Sequence, residues 1–541
     1  MATYTKRLSS TSIMEQPDNH SLIVATPATF AATDTGSTTT IVSTSLGSYT
    51  DSNDDMVGKI VECLFATNTQ NEGKRVRILA TDDGASTFTT DAFPAATASG
   101  DTFALYTPPH AFFVEETGTH SNTDIVDSNN RDEADDYYIG TATEGGPRIE
   151  VVRSDSISTS DHPLVDDWVS SGGTLTVGTA FDANVTQGDL FEAWRHPEFF
   201  SLAVDHQMED VPRDVMTGDL FSEGPIKGLR ASSVTGELAF RGPGGGTYSE
   251  LYPFLRCLYT VDGGDDLTAD SGGSVSSVAY DSGTAEAGSL YLTASGDVFS
   301  NLADVATPIV PYPSLRVAPE EDSTIARMIT FRPSSSVNLS LAMKSYIGDG
   351  VMYYDWGYLP MLSFEGAKGL PMKITLSGDA LDHLVVGSSA AHTRPWSPVR
   401  STVAPRALGV SRVVVGSSSY KCRRFKFDPG PVVTKQIDLS SPNHVAGWYL
   451  TGWEASGEVE VYLDSTDRTA IDDFVAGKEQ QILMQTGVQG SDPGVFAVYC
   501  ASCQFTGVSV ADDTGGVTLT LPFKVNRPTA TTYSPFVLGI V

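Results

Sequence analysis

The stretches RASSVTGELAFRG (230–242) and TGWEASGEVEVYL (451–463) share one pattern. A small polar residue leads into Gly-Glu, and an alternating apolar run follows: Leu238 and Phe240 in one, Val459 and Val461 in the other. Alternation of that period marks a half-buried β-strand. Each strand then gives way to helical spacing. TYSELYPFLRCLY (247–259) sets Leu251, Phe254, Leu255 and Leu258 on one face. STDRTAIDDFVAGK (465–478) does the same with Ile471, Phe474 and Val475, behind an acidic first turn and ahead of Gly477 as a stop. A strand pair around a central turn follows in both: MLSFEGAKGLPMKITLSGD (361–379) and CQFTGVSVADDTGGVTLTLPFKV (503–525). Residues 201–392 and 393–541 therefore each read as strand, helix, excursion and hairpin. The first excursion, 260–300, is rich in Gly, Ser and Asp and reads as a surface loop or extended hairpin that a neighbouring subunit orders.

A second repeat fills the first 200 residues. DDMVG (54–58) matches DDYYIG (135–140), and GKRVRILATD (73–82) matches GPRIEVVRSD (146–155). The stretch 87–113 matches 174–200, with Gly-Asp at 100–101 and 188–189 before an alternating strand. The expected fold is all-β with a few short helices. An N-terminal arm (1–27) precedes two small β modules (28–113 and 114–200) and two tandem β-sandwich or barrel domains (201–392 and 393–541). The two modules are expected to project as a dispensable appendage, each ending in an aromatic pair, Phe112-Phe113 and Phe199-Phe200.

Composition agrees with an all-β class: charged residues are 19% and hydrophobic ones 40%. With 34 basic and 67 acidic residues the net charge is −33, which repels phosphate and argues against tight nucleic-acid binding. No apolar run is long enough to span a bilayer and no secretory leader is legible, so membrane insertion is not expected. Five scattered cysteines make no disulfide framework and fit synthesis in a reducing cytosol.

Chemical motifs are sparse, and no catalytic residues or cofactor are expected. The nine histidines form no ligand pair, and no nucleophile elbow is present. GPGGG (242–246) lacks the Lys-Ser/Thr of a phosphate loop. CASC (500–503) lies in a strand-like run, VFAVYCASCQF, and reads as buried thiols. In DSNDDMVGKIVE (51–62), Asp51, Asn53, Asp55 and Glu62 stand at positions 1, 3, 5 and 12 of a calcium loop. Met56 occupies the position where that loop turns on glycine, so a solvated acidic turn is the favoured reading of this candidate metal loop.

The half 201–541 resembles the tail tube (major tail) proteins of long-tailed bacteriophages and archaeal tailed viruses. The Gly-Glu strand and helix at 234–259 and 453–477 carry the resemblance, with the hairpin YDWGYLPMLSFEGAKGLPMKITLSGD (354–379) and the last strand GVTLTLPFKVN (516–526). The resemblance implies a virion protein without an active site, assembled in the host cytoplasm. In that family six domains close a ring, rings stack into a tube, and genome DNA passes through without specific contact. Two domains per chain imply a homotrimer with pseudo-six-fold symmetry, with a homohexamer as the alternative, in contact with other tail proteins. An acidic lumen is expected from the net charge. Another tail or baseplate ring component is the nearest alternative reading. A tailspike-type glycan-binding or glycan-degrading protein is more distant, because no β-helix period is present.

Overall fold

In a computed structural model the chain is nearly all β, with one short α-helix among the described residues, Tyr252–Arg256. The structure describes residues 10–16, 23–44, 56–82, 86–108, 112–113, 120–126, 147–154, 156–157, 163–169, 174–186, 189–211, 226–241, 251–262, 290–292, 298–300, 329–347, 351–367, 369–386, 411–415, 418–438, 445–462, 472, 475–486, 496–513, 516–527 and 534–540. Of the excursion 260–300, it describes the end of the strand Tyr259–Asp262 and a small hairpin, Leu290–Leu292 with Val298–Ser300.

The two Gly-Glu stretches occupy the same place in two like-built units. In the first, the strand Ile226–Ala239 lies between Phe199–Val211 and Lys373–Ala380, and the latter pairs with Met361–Ala367. In the second, Ser456–Tyr462 lies between Ser418–Asp428 and Gly516–Val525, and the latter pairs with Ser509–Asp513. Gly236 faces Leu202 and Leu376, and Gly457 faces Phe427 and Phe523. The helix of the first unit leads to Tyr259–Asp262, which pairs with Ile329–Pro333. The corresponding pair in the second unit is Gln480–Thr486 with Phe496–Phe505. Before it, the Ala476 amide donates to the Asp472 carbonyl at 2.9 Å, a helical contact at the end of the segment read as a helix; residues 463–471 lie outside the described residues.

The boundary between residues 392 and 393 does not separate two sheets. Met361–Ala367 pairs directly with Ser418–Asp428, and Phe536–Ile540 joins Ile329–Pro333 to Phe496–Phe505, so one fourteen-stranded sheet runs through both units. It folds over on itself at Ser418–Asp428, which also pairs with Ser411–Val415. Aromatic rings fill the space between its layers. Phe364 meets Phe496 at 4.8 Å, and Phe427 meets Phe536 at 5.2 Å.

The two glycines meet close neighbours, Gly457 to the point where only glycine fits and Gly236 less tightly. A Cβ on Gly457 would run into the Phe523 ring and sit 2.7 Å from the Lys426 carbonyl. One on Gly236 would crowd Phe199 and Leu202 at 3.2 Å.

The first 200 residues hold two units with one strand order. In the first the order is Ile23–Ala31, Thr102–Thr107, Ile60–Phe65, Arg75–Asp82, Thr87–Thr90, Thr40–Val42. In the second, Phe112–Phe113, Leu190–Trp194 and Arg148–Arg153 form one sheet. Val165–Val169, Thr174–Val177 and Asp124–Val126 form another, and an Arg148–Leu164 bridge joins the two. This order corrects one part of the sequence alignment: Arg148–Arg153 stands in the place of Ile60–Phe65, one strand away from Arg75–Asp82. The shared Gly-Asp has a common cause. Asp101 accepts from the Ala98 amide at 2.8 Å and Asp189 from the Thr186 amide at 2.7 Å, so each buried carboxylate closes the turn before its strand.

The structure also overturns the projecting appendage. The first module has its own core around Phe30, Phe88 and Phe103. The core of the second, including Ile149, Phe191 and Trp194, is continuous with that of the duplicated half. From the N-terminal arm, Ser10–Gln16 adds a strand to Ser340–Ile347 and buries Met14.

Gly457→Ala is expected to destabilise the protein by about 1–3 kcal/mol through overpacking. Gly452→Ala, where a Cβ would meet nothing within 4 Å, should stay within about 1 kcal/mol of the parent. Urea denaturation of the two variants checks this.

Candidate functional site

Two features stand out: the edges and solvent face of the long sheet, and a buried ionic joint beneath it. Written as the two duplicated units, the sheet runs from Phe199–Val211 through Ile226–Ala239, Lys373–Ala380 and Met361–Ala367. It continues through Ser418–Asp428, Ser456–Tyr462 and Gly516–Val525 to Ser509–Asp513. The first and last of these strands have one strand partner each among the described residues. Such edges present unpaired backbone donors and acceptors and are the usual sites of chain-to-chain pairing. A large exposed apolar residue stands on each, Phe200 at 56% and Val510 at 57%.

Period-two alternation sorts the sheet's faces. One face carries Leu238, Ile374, Phe364, Phe425, Val459 and Leu521 into the core. The other carries charges of alternating sign across successive strands. Glu237 meets Lys373 at 2.5 Å, Glu365 meets Arg424 at 2.7 Å, and Arg423 meets Glu460 at 3.0 Å. Lys426 lies opposite both Glu365 and Glu458. Acids and bases thus interleave here, and the excess acid of the chain is carried elsewhere.

The ionic joint ties the first 200 residues to the sheet Ser340–Ile347, Val351–Tyr358 and Asp382–Val386. Lys344 is buried and donates to Glu150 at 2.8 Å and Glu192 at 3.0 Å, with its ammonium 4.4 Å from the Trp194 ring centroid. Glu192 also accepts from Trp194 Nε1 at 2.9 Å and the Tyr354 hydroxyl at 3.0 Å. Burial alone would lower the Lys344 pKa, but Glu150 and Glu192 hold it above the ordinary 10.5. Arg75 reaches from the first module to the fully buried Asp382 at 2.6 Å and to Glu62 at 2.9 Å. His206, on the edge strand, bonds Asp355 at 2.9 Å, and its ring lies 4.7 Å from that of His383. A cavity of about 300 Å³ at this joint is lined in part by Arg77, Glu150, Lys344 and Trp356.

Of the candidate calcium loop, Asp51, Asn53 and Asp55 lie outside the described residues. Glu62 lies in a strand, with its carboxylate committed to Arg75. Among the described residues no three His, Cys, Asp or Glu side chains group to hold a metal ion. Cys500 and Cys503 are buried neighbours, and burial pushes the Cys503 thiol well above its ordinary range, which keeps it protonated and unreactive. The joint escaped sequence reading because its members are far apart in the chain. The available signal was a lysine inside the apolar run SLAMKSYI (340–347). Among the described residues no helix is long and apolar enough to cross a membrane. No protein-family model matches the chain, and no curated protein matches it.

Lys344→Met leaves the buried Glu192 and the partly buried Glu150 without their cation and is expected to cost about 3–5 kcal/mol. The joint also sets an alkaline limit. Burial pushes the Tyr106 and Tyr346 hydroxyls from 10.0 up to about 12, and Lys344 is raised as well. Each group holds its proton more tightly folded than unfolded. Their stabilisation is therefore complete below pH 10 and is lost as pH rises through the raised values. The urea midpoint should fall steadily from pH 10 to 12; a flat profile there would contradict the assignment.

Proposed function

We propose that this chain is a structural virion subunit that self-assembles into stacked rings of a viral tail tube, the conduit for genome DNA. The observation that carries the reading is the duplication itself. Two units of like pairing stand side by side in one sheet, and the outer edge of each end is open. A sheet built this way extends by adding copies and loses its edges only by closing on itself. Heterologous contacts of one kind close into a ring when the rotation permits, and two units per chain make three chains the natural closure of a six-unit ring.

The core and the second layer cover one face of the sheet, so closure with the covered face outward places the charged face in the lumen. That face carries both signs, in place of the uniformly acidic lumen expected from net charge. Interleaved Glu237, Lys373, Glu365, Arg424 and Glu458 keep the wall hydrated, and each base is paired with an acid. Such a wall offers a passing polyanion no run of free cations to bind. The N-terminal units pack against the outside of this wall through the ionic joint.

Electron microscopy of the purified full-length chain at rising protein concentration tests the proposal. Hollow rings or tubes with apparent six-fold symmetry are expected. A chain that stays monomeric at every concentration and salt, alone and with extracts of assembling particles, would contradict it.

A further inference from the structure

The ionic joint presses an amine against two carboxylates inside an aromatic shell. We propose that it matures into a covalent bond, an isopeptide link between Lys344 Nζ and the side-chain carboxyl carbon of Glu192, formed with loss of one water. The link ties the strand Ser340–Ile347 to Leu190–Trp194, and with them the duplicated half to the second module. It goes beyond the ring reading and does not depend on it.

The geometry carries the parts such a reaction needs. Lys344 Nζ lies 3.0 Å from Glu192 Oε2 and 2.8 Å from Glu150 Oε2. Glu150 and Glu192 stand directly opposite on neighbouring strands, a place where like charges repel. The Lys344 and Glu192 side chains are 3% and 4% exposed, and Glu150, at 21%, stands nearest solvent. Nζ lies 4.4 Å from the Trp194 ring centroid and 5.3 Å from that of Tyr354. Glu192 is fixed from both sides, by Trp194 Nε1 at 2.9 Å on Oε2 and by the Tyr354 hydroxyl at 3.0 Å on Oε1. An amine and a carboxyl held in contact react with an effective molarity of about 10⁵–10⁸ M, which offsets the cost of condensation in water.

The step balances within the joint. Glu150 takes one proton from the ammonium and passes it to Glu192 Oε2, leaving a neutral amine beside a neutral carboxyl. Nζ then attacks the Glu192 carbonyl carbon, and the charge that develops on Oε1 meets the Tyr354 hydroxyl. Glu150 carries a second proton from Nζ to Oε2, which departs as water into the adjoining cavity, lined by Glu150, Glu192 and Lys344. An ammonium and a carboxylate become an amide and water, and Glu150 ends as it began. The charge left behind sits on Glu150, the partner best placed to be hydrated. Lys344 holds its proton above the ordinary range, so the ion pair is the state in which the chain folds and the link follows slowly.

Intact-mass measurement of the full chain under denaturing conditions, after folding and storage at neutral pH, tests the proposal. A mass one water below that of the sequence is expected, with a branched peptide joining Lys344 to Glu192 after digestion. Lys344→Arg keeps a cation at the joint without the amine and should retain its full sequence mass. Glu150→Gln leaves both reacting groups in place and should slow the mass loss about 10²-fold or more. A parent chain that keeps its full mass on prolonged storage, with no branched peptide, would overturn the link, as would a water loss that persists in Lys344→Arg. A branched peptide joining Lys344 to Glu150 would overturn the roles given to the two carboxylates. Each outcome is read on the single chain, whether or not rings form.

Discussion

The structure turns on the need of every β-strand for a partner on each side. In its longest sheet the duplicated units meet that need internally and leave it unmet at their two outer strands, Phe199–Val211 and Ser509–Asp513. Inside, the two units satisfy each other through Met361–Ala367 and Ser418–Asp428, where Glu365 and Arg424 add an ion pair at 2.7 Å to the backbone ladder. At the outside the same two kinds of edge recur with nothing across from them among the described residues. At Gly366 and Gly457 an aromatic ring stands where a Cβ would be, and at Gly236 Leu202 and Phe199 crowd that place at 3.2 Å. Around Gly236 and Gly457 the two units share the same cross-strand pairing, Leu202–Gly236–Leu376 in one and Phe427–Gly457–Phe523 in the other.

The N-terminal half meets a different constraint. Lys344 and Glu192 are desolvated together, with Glu150 at the margin, and so are Arg75 and Asp382. Buried pairs of this kind add little net stability over apolar packing, but they are costly to break. They therefore fix one relative placement of the modules and the sheet. The stretch Ser10–Gln16 reinforces that placement by crossing back to pair with Ser340–Ile347. The second module and the arm are thus packed into the same body as the duplicated half.

Local patterns were legible in the sequence. The all-β class, the Gly-Glu strands, the first helix and the Gly-Asp turns each depend on residues within a few positions of one another. Asp101 and Asp189 illustrate this, since each bonds the amide three residues earlier. Long-range pairing was not legible. The strand IVECLF (60–65) and the strand RIEVVR (148–153) occupy equivalent places with little likeness, whereas RVRILATD (75–82) matches the latter better by residue type alone. Alternation reports which residues face inward and carries no address for the strand across. Nor did net charge locate charge: a chain of −33 presents a sheet face on which acids and bases alternate.

Hydrogen exchange at the two edges, compared between the single chain and assembled particles, tests the central claim most directly. In the single chain the outward amides of Phe199–Val211 and Ser509–Asp513 should exchange fast, while the Gly236 and Gly457 strands between their partners are protected. On assembly both edges should gain protection together and to a similar degree. Assembled particles in which both edges exchange as fast as in the single chain would contradict the account.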